Sequence, residues 1–214
     1  MASTTEKMTF DGLVGHIDCA LDWPDGTPQG WALVLHPNPV QGGSRDNKVV
    51  TTIARACVQR GLVAVRPNFR GIGTSAGTFD QGLGETQDMK LLVEQFRARY
   101  PEIDKGKWVL GGFSFGTSIG LQLYSLWKAA GQRVPDDIIL AGSAALRFRH
   151  IDGPPPEDAL VVHGENDDVV ELSEVMQWAR PIGMPVVVIP DAGHFFHGKL
   201  LVLRHLVQTR LRAL

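Results

Sequence analysis

Six short apolar runs, rich in β-branched residues, recur along the chain at positions 31–35, 62–65, 108–110, 138–141, 159–162 and 185–189. Each is nearly continuous in hydrophobicity rather than alternating, which is the pattern of strands covered on both faces of a parallel sheet. The stretches between them have helical spacing. Val50, Ile53, Ala54 and Cys57 fall at i, i+3, i+4 and i+7, with Gly61 beyond them to end the turn. Met89, Leu92, Val93, Phe96 and Tyr100 form a second stripe, which Pro101 stops. Positions 115–130 and 172–180 also read as helices, and 196–212 sets Leu200, Leu203, Val207 and Leu211 on one face. Strand and helix in alternation predict an α/β fold, a mainly parallel sheet with helices on both faces. Positions 8–23 read as one or two extended strands at the sheet edge, interrupted at Gly12 and Gly15.

A chain of 214 residues can bury a sizeable core without a disulfide or metal staple. No boundary breaks the pattern, so one domain over 1–214 is expected, with 1–7 as a flexible N-terminus. Gly153-Pro154-Pro155-Pro156 is too short for an interdomain linker and reads as a loop. With 21 basic and 23 acidic side chains the net charge is −2, which argues against a nucleic-acid partner. No apolar run approaches a membrane span, and the polar start is not a secretory leader. Two cysteines, Cys19 and Cys57, make no disulfide framework, so a cytoplasmic setting is expected.

The chemistry is carried by Gly112-Phe113-Ser114-Phe115-Gly116, a G-x-S-x-G pentapeptide. Chance supplies about 0.1 such matches in a chain of this composition. Its setting is more specific, because it follows one predicted strand and opens a predicted helix, as a nucleophile elbow requires. The turn holds the serine in a strained conformation with its hydroxyl above the sheet, and a Cβ at either glycine would collide with that turn. The helix N-terminus that follows favours developing negative charge.

A serine nucleophile needs a base, and the base needs an acid to orient it. On a sheet of this kind the acid and then the base follow later strands. After 159–162 comes His163-Gly164-Glu165-Asn166-Asp167-Asp168, and after 185–189 comes Pro190-Asp191-Ala192-Gly193-His194-Phe195-Phe196-His197. Glu165, Asp167 and Asp168 are therefore the candidate acids, and His194 and His197 the candidate bases. The oxyanion needs two backbone N–H donors. Phe115 supplies one. The loop His36-Pro37-Asn38-Pro39-Val40 supplies the other from Asn38 or Val40, because proline has no N–H. His36 and His163 end strands and read as hydrogen-bonding struts. His16 reads as an edge-strand residue, His150 as a loop residue beside Arg147 and Arg149, and His205 as a residue on the polar side of the last helix. Phe69, Phe113 and Phe195 flank the site loops and are candidate pocket residues.

These motifs resemble the α/β-hydrolase superfamily. The Gly164-x-x-Asp167-x-x-Val170 segment is similar to its acid-bearing loop and selects Asp167, and Gly193-His194 is similar to its Gly-His pair and selects His194, leaving His197 as a first-turn helix residue. The resemblance narrows further. His36-Pro37-Asn38-Pro39 with Gly42-Gly43, Asp46-Asn47-Lys48-Val49, Asn68-Phe69-Arg70-Gly71-Ile72-Gly73-x-Ser75 and Gly84-Glu85 resemble a group of small bacterial hydrolases without a lid, described as hydrolases or carboxylesterases, and the likeness runs from about Met8 to the end. Only positions 142–158 separate the fourth predicted strand from the fifth, too short a segment for a helical cap.

The resemblance implies a serine hydrolase working through Ser114, His194 and Asp167 and does not fix its substrate; the expectation is cleavage of carboxylic esters of short acyl groups, with a small-molecule ester as the partner and no cofactor. A thioesterase, peptidase or acyltransferase would use the same three residues, and a non-catalytic binding protein on the same fold is the remaining reading. Three other patterns lead elsewhere and are set aside. Gly71-x-Gly73-x-x-Ala76 continues as a loop rather than opening a helix, against a dinucleotide site. Lys199, Arg204, Arg210 and Arg212 read as a solvated helix face. His194 and His197 lack the accompanying ligands of a metal site.

Overall fold

The computed structural model describes residues 4–148, 150, 151, 153 and 156–212. Its strands are β1 (Thr4–Gly12), β2 (Gly15–Trp23), β3 (Gly30–Leu35), β4 (Leu62–Pro67), β5 (Lys107–Phe113), β6 (Asp137–Ala141), β7 (Leu160–Gly164) and β8 (Val186–Ile189). They lie side by side in the order β1-β2-β4-β3-β5-β6-β7-β8. From β4 to β8 every pairing is parallel, while β1 and β2 pair antiparallel as an edge hairpin. The helices are α1 (Lys48–Val58), α2 (Leu83–Arg99), α3 (Pro101–Asp104), α4 (Phe115–Ala129), α5 (Leu172–Ala179) and α6 (Leu200–Arg210). This is the expected α/β architecture.

Alternation along the strands sorts the core into two layers. Trp31, Leu33 and Leu35 face the layer that holds α2, α4 and α5, with Phe96, Leu123 and Trp127. Ala32 and Val34 face the other layer, where α1 and α6 contribute Ile53, Ala54, Cys57, Leu203 and Val207. The first layer is aromatic. Trp31 and Trp108 are register partners on adjacent strands and stack with centroids 5.5 Å apart. The second is built from smaller side chains, such as Ala32, Ala64 and Val109, which lets α1 lie close to the sheet.

Several boundaries differ from the sequence expectation. Of the positions expected to be flexible, Thr4 to Lys7 pair with β2, because Thr5 bonds Asp22 and the Trp23 indole bonds Glu6 across the hairpin; positions 1–3 lie outside the described residues. Pro101 ends α2 but also starts α3, where a missing N–H costs nothing. The last helix begins at Leu200 rather than near 196, since Phe196 and Gly198 have φ of 51° and 71°, outside helical space. His197 therefore sits in a turn, stacked on Phe195 with centroids 5.9 Å apart, and is not a helix residue. Arg149, Asp152, Pro154 and Pro155, and so part of the predicted Pro-rich loop, lie outside the described residues. The described residues between β6 and β7 form no helix or strand and build no cap over the sheet's C-terminal edge. Among the described residues no helix is long and apolar enough to cross a membrane. Cys19 and Cys57 are both buried free thiols, and burial pushes the Cys57 thiol up to about 12.

Candidate active site

Ser114 alone separates β5 from α4, and its backbone sits at φ 53°, ψ −119°. A non-glycine residue there costs about 1–3 kcal/mol of strain and persists only if its surroundings impose it. They do. The Ser114 N–H donates to Ala141 O at 3.0 Å, and its carbonyl accepts from the Thr117 N–H and hydroxyl at 2.9 and 2.6 Å. A Cβ on Gly112 would stand 2.7 Å from Gly116 O, and one on Gly116 would stand 2.4 Å from Leu35 O. Both glycines are thus required for the turn and for its seat against β3.

The turn after β7 carries the predicted acids. Asp167 Oδ1 accepts from the Val169 and Val170 N–H groups at 3.0 and 2.8 Å, a local ring that fixes its carboxylate. Its Oδ2 lies 2.8 Å from His194 Nδ1. Burial alone would raise the Asp167 pKa, but the hydrogen bonds from His194 and Val170, with the nearby imidazoles, hold it below the usual carboxylate range. The neighbouring acids stand elsewhere. Asp168 is exposed, and Glu165 accepts from the Asp191 N–H at 3.0 Å. The acid and histidine loops are also tied directly, Asn166 N–H donating to Ala192 O at 2.9 Å. A Cβ on Gly164 would stand 2.4 Å from Ala192 O, so glycine is what allows this approach.

His194 Nε2 lies 3.0 Å from Ser114 Oγ. With Asp167 ionised, Nδ1 carries the imidazole proton and Nε2 accepts from the serine hydroxyl. The structure thus brings Ser114, His194 and Asp167 into one hydrogen-bonded chain, all at least nine-tenths buried. His163 lies behind it. Its Nε2–H donates to Val170 O at 2.9 Å and stands 3.3 Å from Asp167 Oδ2. Burial holds its pKa below the ordinary histidine value.

The loop after β3 is knotted around Asn38. Its carbonyl accepts from the Gln41 and Gly43 N–H groups at 3.1 and 3.0 Å, and its Oδ1 accepts from the Val40 N–H at 3.1 Å. Val40 N–H is therefore spent, while Asn38 N–H has no protein acceptor among the described residues. Of the two donors left open by the sequence, Asn38 is the available one. Phe115, as the first residue of α4, has no acceptor within its helix. His36 props the loop from beneath: it accepts from the Phe69 N–H on Nε2 at 2.9 Å and donates from Nδ1 to Pro37 O at 2.6 Å.

A cavity of about 350 Å³ opens over Ser114 and His194, with Asn38, Gln41, Asn47, Val169 and Phe195 among its walls. Of the three candidate pocket phenylalanines only Phe195 lines it, at 43% exposed. Phe69 and Phe113 are corrections to the sequence reading. Phe69 is buried against His36 and Phe115, and Phe113 against His194, so both support the site rather than shape its cavity. The sequence reading missed Gln41, Asn47 and Val169. Asn47 precedes the helical stripe beginning at Val50 and could have been found as a capping residue. A separate cavity of about 230 Å³ along α4 and α5, lined by Leu121, Gln122 and Trp178, contains neither Ser114 nor His194. Among the described residues no three His, Cys, Asp or Glu side chains are grouped to hold a metal ion.

No family model matches the chain. An uncharacterized protein of Rickettsia prowazekii is 31% identical over an alignment of 205 residues, and the match covers 90% of this chain and 83% of that protein. Among solved structures, an α/β serine hydrolase without a lid from Xanthomonas campestris is 37% identical, with a TM-score of 0.87 over 100% of this chain and 96% of its own. An α/β serine hydrolase homologue from Coxiella burnetii is 32% identical, with a TM-score of 0.80 over 99% and 98%.

Proposed function

The chain belongs to the α/β serine hydrolases that lack a lid, and from that premise we propose that it hydrolyses carboxylic esters of short acyl groups through an acyl-enzyme on Ser114. The observation that carries the reading is the pair of contacts at His194, 2.8 Å to Asp167 and 3.0 Å to Ser114. Ser114 Oγ attacks the ester carbonyl carbon as its proton passes to His194 Nε2. The carbonyl oxygen takes up the electron pair and is met by the Asn38 and Phe115 N–H groups. Asp167 stays ionised, holds Nδ1–H and stabilises the imidazolium. When the tetrahedral intermediate collapses, the C–O bond to the alcohol breaks and Nε2–H protonates the departing oxygen. Water, deprotonated by the same nitrogen, then attacks the acyl-serine. The carboxylic acid leaves, and the proton returns to Ser114.

The strain at Ser114 and the fixed loop at Asn38 support this reading, because preorganised donors do not have to be turned toward charge as it develops. Ser114→Ala is expected to lower p-nitrophenyl acetate turnover by at least about 10⁴-fold and to abolish covalent labelling by a fluorophosphonate, read by intact mass. Labelling or turnover that survives in this variant refutes the assignment.

A further inference from the structure

The polar side of the cavity over Ser114 is furnished with hydrogen-bond donors, and two asparagines make it so. Each precedes a helical turn and uses its side-chain oxygen in the same way. Asn38 Oδ1 accepts from the Val40 N–H at 3.1 Å, and Asn47 Oδ1 accepts from the Val49 N–H at 2.9 Å. A backbone N–H can pair only with the oxygen of a side-chain amide, so neither amide can be turned over. The –NH2 group of each keeps two donors that meet no protein acceptor among the described residues. Both residues line the cavity beside Gln41, whose amide can present either its oxygen or its –NH2, and among the described residues no carboxylate lines it. The Asn38 carbonyl is already taken by Gln41 and Gly43. Lys48, exposed beside Asn47 and outside the cavity wall, has no ion pair among the described residues, whereas Asp46 on the other side is paired with Arg66, and α1 begins with no acidic residue in its first turn, so the local potential favours an anion. A group that accepts hydrogen bonds, donates none and carries negative charge meets all of these demands.

We propose that Asn47, together with the Asn38 side chain, determines substrate choice, and that the preferred esters carry a carboxylate within a few atoms of the scissile bond. The inference rests on the esterase reading above. Asn47→Asp tests it with little threat to folding, because aspartate caps a helix as well as asparagine does. It keeps an oxygen for Val49 N–H and replaces the –NH2 donors with an anionic acceptor. Asn47→Ser also retains a capping oxygen and replaces the two –NH2 donors with a single, shorter hydroxyl donor, without adding charge.

The measurement is kcat/KM at neutral pH for two matched pairs. On the acyl side the pair is p-nitrophenyl hydrogen succinate against p-nitrophenyl butyrate. On the alcohol side it is acetoxyacetate against propyl acetate. The wild-type enzyme is expected to favour the carboxylated member of at least one pair by about tenfold. In Asn47→Asp that ratio is expected to fall at least about tenfold, chiefly through KM, and in Asn47→Ser by about threefold or more. The pair that responds identifies which half of the ester the asparagines face. Preference for the neutral member of both pairs, or a ratio unmoved in both variants, overturns the inference while ester hydrolysis stands. Failure of the wild-type enzyme on all four esters refutes the esterase reading itself, and this inference with it.

Discussion

His36 is an imidazole with both nitrogens committed. Phe69 N–H needs its Nε2 as an acceptor and Pro37 O needs its Nδ1–H, so only the neutral ring satisfies both. Burial carries its pKa down from 6.5 to about 4, and a proton taken up there would expel the Phe69 N–H. The direction of the linkage follows. Between pH 6.5 and about 4 the unfolded chain binds a proton at residue 36 that the folded chain refuses, so stability falls as the pH falls through that window. At the lower end this group has removed about 3 kcal/mol. His36→Gln keeps an acceptor near the Nε2 position and removes the titration. Urea midpoints measured at neutral pH and near the lower end should converge in this variant, apart from the share that other groups contribute. A wild-type midpoint that does not drop across the window, or an equal drop in the variant, contradicts the account. The tuning has a functional side, because His36 lies under the loop that carries Asn38.

The elbow between β5 and α4 depends on the space two backbones leave each other, and two glycines of α4 test it in opposite directions. A Cβ on Gly116 would enter the Leu35 carbonyl at 2.4 Å, whereas the nearest atoms to one on Gly120 would be Leu110 side-chain atoms at 3.6 Å or more. Gly116→Ala must push α4 away from the end of β3, at about 1–3 kcal/mol, and should cut p-nitrophenyl acetate turnover by at least about tenfold by moving Ser114. Gly120→Ala should raise stability by about 0.5–1 kcal/mol, the ordinary gain of alanine over glycine inside a helix, with turnover retained. Urea unfolding and initial rates read both, and a Gly116→Ala enzyme as stable and active as the wild type defeats the argument. The elbow was legible in the sequence because it needs rare residue types at fixed spacing. Element ends were less so. β5 runs on through Gly111 and Gly112, which pattern alone takes for a turn. α2 starts at Leu83, ahead of its apolar stripe, because the buried Glu85 carboxylate accepts from the Asp80 and Gly82 N–H groups at 2.8 Å each. The buried fate of Phe69 and Phe113 was illegible for a different reason. Residue type says that a ring seeks cover, not which neighbour supplies it.

Across the whole molecule, the second half of the candidate site is only as well placed as the last helix. Phe196, two residues beyond His194, is packed into the same layer as Leu203, Val207 and Leu211, so the seating of α6 fixes the histidine loop against the sheet. At its far end α6 is pinned by charge. Arg210 Nε donates to Asp137 Oδ1 at 2.7 Å, and Lys107 Nζ stands 3.3 Å from Asp137 Oδ2. The Asp137 side chain is 1% exposed and Arg210 is 29% exposed. Removing one partner from a fully buried pair costs about 3–5 kcal/mol, because the remaining charge is stranded. Water at Arg210 and the second cation at Lys107 reduce this to about 1–3 kcal/mol. Arg210→Gln should lower the unfolding free energy by that amount, read as a lower urea midpoint at an unchanged slope. Asp137→Asn combined with Arg210→Gln should cost less than the sum of the two single changes, by about 1 kcal/mol or more, since Asp137 and Arg210 then leave together, while the lost partners of Lys107 and of the exposed Asp158 are already counted in the single changes. Turnover should remain near wild type where the variant is folded, because the apolar face of α6 still seats Phe196. Strict additivity of the two changes would mean that Arg210 and Asp137 are adjacent without being coupled, and that apolar packing alone holds the last helix, and the histidine loop before it, in place.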